Sequence, residues 1–204
     1  MKRIFLTLLL SAALSAAAFA QQRFNVGIRA GVNISDYALP AISSPDATLR
    51  NARNRAGFEA SLLARFNFTR HLNLQAEFEY DRNNYGFNCR KGYGNRRVTV
   101  NTNRIEIPLL LGLNLGPVRL FGGASFRLSH NEKSNAPSIL QIKFSDRKAA
   151  LTGGAGINIK RFFVEARITG YPGSAANTAI FYGTPVKVKP RHDLKWSLST
   201  GFLF

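Results

Sequence analysis

With a single cysteine, Cys89, in 204 residues, the chain can close no disulfide of its own. After Ala20 it has no run of eighteen apolar residues, which excludes a second membrane-spanning helix. Histidine is scarce too: His71, His130 and His192 lie scattered and, with Cys89, offer no spacing of the kind that zinc or copper needs. No metal, cofactor or catalytic residue is therefore expected. Acidic side chains are also few, 11 against 28 basic ones, for a formal net charge of +17. Such an excess would suit nucleic acid, but no basic helix or aromatic RNA-binding motif accompanies it.

What is present begins with "MKRIFLTLLLSAALSAAAFA": a basic start at Lys2 and Arg3, an apolar stretch, and Ala18-Phe19-Ala20 in the A-x-A form that signal peptidase cuts. Residues 1–20 read as a cleaved export signal and residues 21–204 as one domain. Without Lys2 and Arg3, 26 basic side chains remain against 11 acidic. For an exported domain without disulfides, that charge points to phosphate-bearing lipids or surface polyanions, not to nucleic acid.

A period of two runs through the rest. In "FNVGIRAGVNI" Phe24, Val26, Ile28, Ala30, Val32 and Ile34 share one parity, and polar or small residues hold the other. Seven more segments repeat it, at 58–68, 72–80, 105–113, 118–128, 151–159, 162–168 and 194–204. Links after the second, fourth and sixth segments are tight ("TRH", "GP", "KR"), while the other four are long. Short turns at one end and long loops at the other predict an all-β, eight-stranded antiparallel up-and-down transmembrane β-barrel. In that topology the long loops are extracellular and both termini periplasmic, in a bacterial outer membrane.

The apolar parity carries no Asp, Glu, Lys or Arg in any of the eight segments. The opposite parity carries Arg29, Arg65, Arg119, Arg127, Arg167 and Lys195 against Glu59, Glu77, Glu79, Asp81, Glu106 and Glu165. Eight strands enclose a lumen that side chains fill, so these twelve are expected to pair as a lumen charge network. Aromatic residues fall at strand ends, with Phe24, Phe68, Phe162 and Phe204 near the short turns and Phe58, Tyr80 and Trp196 near the long loops. That is the placement of interfacial girdles. The final strand, ending in Phe204, resembles the signal by which outer-membrane proteins are handed to the barrel-assembly machinery, an expected partner during biogenesis.

The segment "RIEIPLLLGLNLGPVRLFGGASFRL" resembles the central hairpin of the PorT-like outer-membrane β-barrel family. The match runs over Ile105, Glu106, Ile107, Pro108, Leu109, Leu110 and Leu111, with Gly122-Gly123 following, and "GIRAGVNIS" is similar to the family's first strand. The resemblance implies an eight-stranded barrel and, through PorT itself, an association with protein secretion. It implies no catalytic residue.

Leaving aside Asp81 and Arg104, which adjoin strand segments, the four long loops hold 15 basic residues against five acidic. Among them Arg90, Lys91, Arg96 and Arg97 are expected to contact lipopolysaccharide phosphates, which guanidinium groups bind bidentately. The expected function is non-enzymatic: membrane architecture, surface interaction, or a secretion accessory with secretion or surface protein partners. The alternative is an outer-leaflet lipid A-modifying enzyme of deacylase type. Its candidate set is Ser129, His130, Glu132 and Ser134, read as straddling a loop. Cys89 is read as an inert thiol in the second long loop, with an intermolecular disulfide as the minor alternative. Inward-facing Pro108 removes a ladder donor and predicts a bulge or a hydrated gap beside Glu106.

Overall fold

The computed structural model describes residues 23–44, 47–52, 55–91, 94–136, 138–143, 148–172, 177–188 and 192–204. The export signal read in residues 1–20 lies outside the described residues. Eight long strands build the body: β1 (Phe24–Ala38), β4 (Arg55–Asn67), β5 (Leu72–Lys91), β6 (Gly94–Leu115), β7 (Val118–Ser134), β9 (Ala149–Ile159), β10 (Phe162–Gly170) and β13 (His192–Leu203). Each pairs antiparallel with its neighbour in the chain, and β13 pairs back on β1 through Gly27↔Leu203 to Ala38↔His192. The fold is the eight-stranded antiparallel up-and-down barrel, in which β13 closing on β1 gives every strand of the body two neighbours.

The apolar parity faces outward. Val32, Ile34, Leu62, Leu111, Leu151, Ile159, Trp196 and Leu198 are each more than half exposed on the barrel's outer wall. From Phe24 to Ile34 this band covers eleven residues of β1, which at a strand tilt near 45° gives an apolar belt about 25 Å tall. Its lower rim carries edge-to-face rings, with Phe162 4.9 Å from Phe202 and Phe202 5.3 Å from Phe204. At the upper rim Phe58 lies 5.7 Å from Tyr80.

Among the described residues there are five further, short strands: β2 (Ile42–Ser44), β3 (Ala47–Asn51), β8 (Leu140–Lys143), β11 (Asn177–Phe181) and β12 (Thr184–Val188). The second long loop of the sequence reading is instead strand. β5 runs eleven residues past Tyr80 and β6 begins eleven before Ile105, paired from Asp81↔Arg104 to Lys91↔Gly94. The reason is an inversion of the pattern. Beyond Asp81 the inward parity turns apolar (Tyr85, Phe87, Cys89) and the outward parity polar (Arg82, Asn84, Asn88, Arg90), as a strand should when it leaves lipid for water.

The extension carries β3 along β5, and a separate β12-β11-β8 sheet covers its apolar face. Leu49, Tyr85, Phe87, Cys89, Val98 and Val100 pack there with Leu140, Ile142, Ala179, Phe181 and Val188 in one buried cluster. The long-loop end is thus a small two-layer sandwich with its own core. Cys89, read as a loop thiol, is fully buried in it.

Pro108 also meets its partners here. The β5–β6 ladder is interrupted between Ala76↔Leu109 and Glu79↔Glu106, where the proline has no N–H to give. On the other side the β6–β7 register shifts between Ile105 and Glu106, so that Leu128 on β7 is the extra residue. The predicted irregularity therefore has two parts: a gap on the β5 side and a bulge on β7.

Candidate functional site

The inner wall is where the sequence concentrates its chemistry. Strand alternation alone points Arg29, Glu59, Ser61, Glu77 and Glu79 inward, and the register Arg29↔Ser61↔Glu79 brings them to one level. Arg29, 2% exposed, donates from Nη2 to Glu79 Oε2 at 2.5 Å, from Nε to Glu77 Oε2 at 3.2 Å and from Nη1 to Ser199 Oγ at 3.0 Å, and Nη1 also pairs with Glu59. Arg167 grips Glu77 with both terminal nitrogens, at 2.6 and 3.1 Å, and reaches Glu165 Oε2 at 2.6 Å. This planar, forked recognition is what guanidinium offers and ammonium does not.

Toward the long-loop end, Glu59, Glu79 and Asp81 bring carboxylate oxygens within 4.8 Å of one another, close enough to hold a cation. Lys195 already supplies one: its Nζ lies 2.9 Å from Glu79, 3.4 Å from Glu59 and 3.6 Å from Asp81. The ammonium takes the position that a metal ion would need. Asn33 and Asn83 donate to the two Asp81 oxygens at 2.7 and 2.5 Å.

Above this, Arg104 donates to the Tyr171 hydroxyl at 2.6 Å and also binds the Tyr85 hydroxyl, while Tyr171 donates to Glu106 at 2.9 Å. Arg127 lies 3.4 Å from Glu106. Toward the short-turn end Arg119 binds Glu165 at 3.1 Å and Asn73 at 2.9 and 3.1 Å. Arg65 takes Gln75 at 2.7 Å and lies 3.6 Å from Glu165.

All twelve charged residues named from the sequence thus lie on the inner wall within ion-pair distance of an opposite charge. Arg104 adds a thirteenth, so that described lumen charges number seven basic against six acidic. Arg104 is adjacent to the predicted start of its strand at Ile105 and has the inward parity of Glu106, which is the signal that could have found it. The aromatic part of the lining had no signal in the charge pattern: Phe121 and Phe163 are buried inside, with Arg119 4.8 Å from the Phe121 ring and Arg65 5.3 Å from that of Phe163. Glycines make the space, since a Cβ on Gly201 would come 2.1 Å from the Phe163 ring.

The candidate catalytic set is arranged otherwise than expected. His130, Glu132 and Ser134 lie along β7 itself, on one face, not astride a loop. His130 Nε2 is 3.3 Å from Glu132, and Ser134 Oγ accepts from the Ala136 amide at 3.2 Å. Ser134 lies four strand positions beyond His130, a rise of about 13 Å, well beyond the reach of a nucleophile–base hydrogen bond. Arg90, Lys91, Arg96 and Arg97 are exposed on the tip of the β5–β6 hairpin, with Lys91 Nζ 4.8 Å from the Tyr182 ring.

A closed eight-stranded barrel with an apolar outer belt and a salt-bridged interior is matched by a family comparison over most of the chain. Residues 19–170 match the model of the outer membrane protein beta-barrel domain. The chain belongs to this family. A bacterial outer-membrane location follows from that membership. Among solved structures, the outer membrane protein OprG from Pseudomonas aeruginosa is similar over 89% of this chain and 96% of its own, with 12% identity and a TM-score of 0.51, a likeness of fold alone. The attachment invasion locus protein Ail of Yersinia pestis, solved with the heparin analogue sucrose octasulfate, aligns over 90% of this chain and 100% of its own at 15% identity and a TM-score of 0.35. The outer membrane protease OmpT from Escherichia coli aligns over 90% and 97% at 10% identity and a TM-score of 0.43. No curated protein sequence matches the chain. Members of this barrel family share a frame, and the chemistry of this one must be read from its own residues.

Proposed function

We propose that this protein is a non-enzymatic outer-membrane barrel that presents a rigid, basic, capped surface, with the long-loop end outside the cell and both termini in the periplasm. The observation that carries this reading is the lumen. Arg29, Glu77, Arg167 and Glu165 are each at most 4% exposed and hold one another by several hydrogen bonds, so both oxygens of Glu77 and of Glu165 are taken by donors, as in a bore filled by side chains. Groups so engaged serve packing and closure. What remains accessible is the sandwich beyond the membrane and its cationic hairpin.

Arg90, Lys91, Arg96 and Arg97 lie eight to eleven residues beyond the girdle pair Tyr80↔Ile105, roughly 26–36 Å along the strand, a distance that supports contact with the saccharide portion of lipopolysaccharide and its phosphates. Replacing all four by serine should lower co-purifying lipopolysaccharide several-fold while leaving the folded barrel intact, and unchanged retention would remove this contact from the account. The finer assignment to the PorT-like group rests on Ile105 to Leu111 and Gly122-Gly123. If it holds, the cap is a docking face for secretion or surface proteins. Comparing secreted and surface proteins with and without the gene tests that role.

A further inference from the structure

The opposite rim has a charge pattern of its own. The tight turns and the start of β1 carry Arg23, Arg70, Lys160 and Arg161 and no acidic side chain. Beside two of these cations a cavity of about 890 Å³ opens at the barrel mouth, lined by Asn25, Arg65, Asn67 and Asn158 within and by Phe24, Val26 and Phe204 on the outer belt. No Asp or Glu side chain is among its lining residues.

Arg65 is the inner wall of this cavity. It is 4% exposed, and its Nη2 has no hydrogen-bond acceptor; the Glu165 oxygen, 3.6 Å away, is already held by Arg119 at 3.1 Å. Three guanidinium groups, those of Arg65, Arg119 and Arg167, share that one carboxylate. A buried donor without an acceptor costs free energy unless something supplies one. Lys160 adds a second oddity. It sits in the β9–β10 turn at φ 58°, a conformation that favours glycine, and the corresponding β6–β7 turn does use one, Gly116 at φ 65°. The turn therefore keeps an ammonium at the cavity's edge at a conformational cost.

We propose that this crevice is a binding site for a phosphate group, taken between Arg65 Nη2, the Asn25, Asn67 and Asn158 amides, and the Lys160 and Arg161 side chains. Guanidinium, amide and ammonium donors converge there with no acidic side chain in the lining; the carboxylate nearest Arg65, that of Glu165, is shared with Arg119 and Arg167, and a phosphate oxygen would give Arg65 Nη2 the hydrogen-bond acceptor it lacks. The chemistry is that of a phosphodiester or phosphomonoester. Its source is either an acidic phospholipid of the leaflet at the short turns, whose acyl chains would lie on Phe24, Val26 and Phe204, or a soluble phosphate.

The test uses the full folded protein in neutral detergent, with heat-modifiable gel migration as the control for folding. Native mass spectrometry measures retention of phosphatidylglycerol against phosphatidylcholine, and a parallel titration uses orthophosphate. Lys160→Asn with Arg161→Ser removes the outer cations in a turn where Asn tolerates positive φ. Asn158→Asp places a carboxylate beside Arg65 and fills the site from within. We expect phosphatidylglycerol to be preferred about tenfold, with the preference lost in both variants. If orthophosphate displaces it or alone raises thermal stability, and does so only without these substitutions, the soluble source is the right one. Equal retention of the two lipids with no effect of orthophosphate overturns the proposal, as does undiminished preference in Asn158→Asp.

Discussion

Replacing Arg29 by methionine should destabilise the barrel by about 3–5 kcal/mol, because it removes a buried cation and leaves its partners in a dry lumen. Methionine keeps much of the length and apolar stem of the side chain, so the change is chiefly one of charge. Arg29 is 2% exposed and sits among Glu59, Glu77 and Glu79. Lys195 still serves Glu59 and Glu79, and Arg167 still holds Glu77, so the loss stays within that range and does not reach the cost of three bare carboxylates. The assay is equilibrium unfolding in urea from phospholipid vesicles, read by Trp196, the chain's one tryptophan, which is 55% exposed on the outer wall. With a slope of about 2 kcal/mol per molar the midpoint should fall by about 1.5–2.5 M. Arg29→Met combined with Glu77→Gln should recover at least about 1 kcal/mol, since one stranded charge is then gone. A loss below about 1 kcal/mol for the single variant, with an unchanged slope, would mean that water fills the lumen and that the paired interior is misread.

Two smaller predictions follow from the long-loop end. Tyr171→Phe deletes a hydroxyl that accepts from Arg104 and donates to Glu106, and should cost about 1.5–3 kcal/mol in the same assay, with the outer belt unaffected. Burial pushes the Cys89 thiol up to about 11, so in the folded protein it stays protonated and unreactive to maleimide at neutral pH, and non-reducing gels should show monomer only. The unfolded thiol ionises near pH 8.5. The stability contributed by the neutral buried form is therefore complete below that pH and is lost as pH rises toward the folded value. Rapid labelling of native protein at pH 7 would show that the sandwich core is open.

The barrel was legible because lipid imposes a rule with no exceptions across eight segments: no charge on the outward parity. That rule located Arg29, Glu77 and Arg167 without any knowledge of contacts. It failed where lipid ends. Past Asp81 and before Arg104 the apolar residues move to the other parity, and a pattern read as outward-apolar takes Tyr85, Phe87 and Cys89 for a loop. The inversion itself is visible in the sequence once strands are allowed to leave the membrane. The sandwich partners were not visible. Strands β8, β11 and β12 are four or five residues long, and what makes them strands is the apolar face of the β5–β6 extension. The sharing of Glu165 by three arginines likewise depends on register across β4, β7 and β10, which one strand's pattern does not contain.

The central claim is a bore filled by ion pairs, and single-channel recording in planar bilayers tests it most directly. Purified, folded protein should give no stable conductance step, at high or low salt. Large, long-lived steps from the same preparation would contradict it.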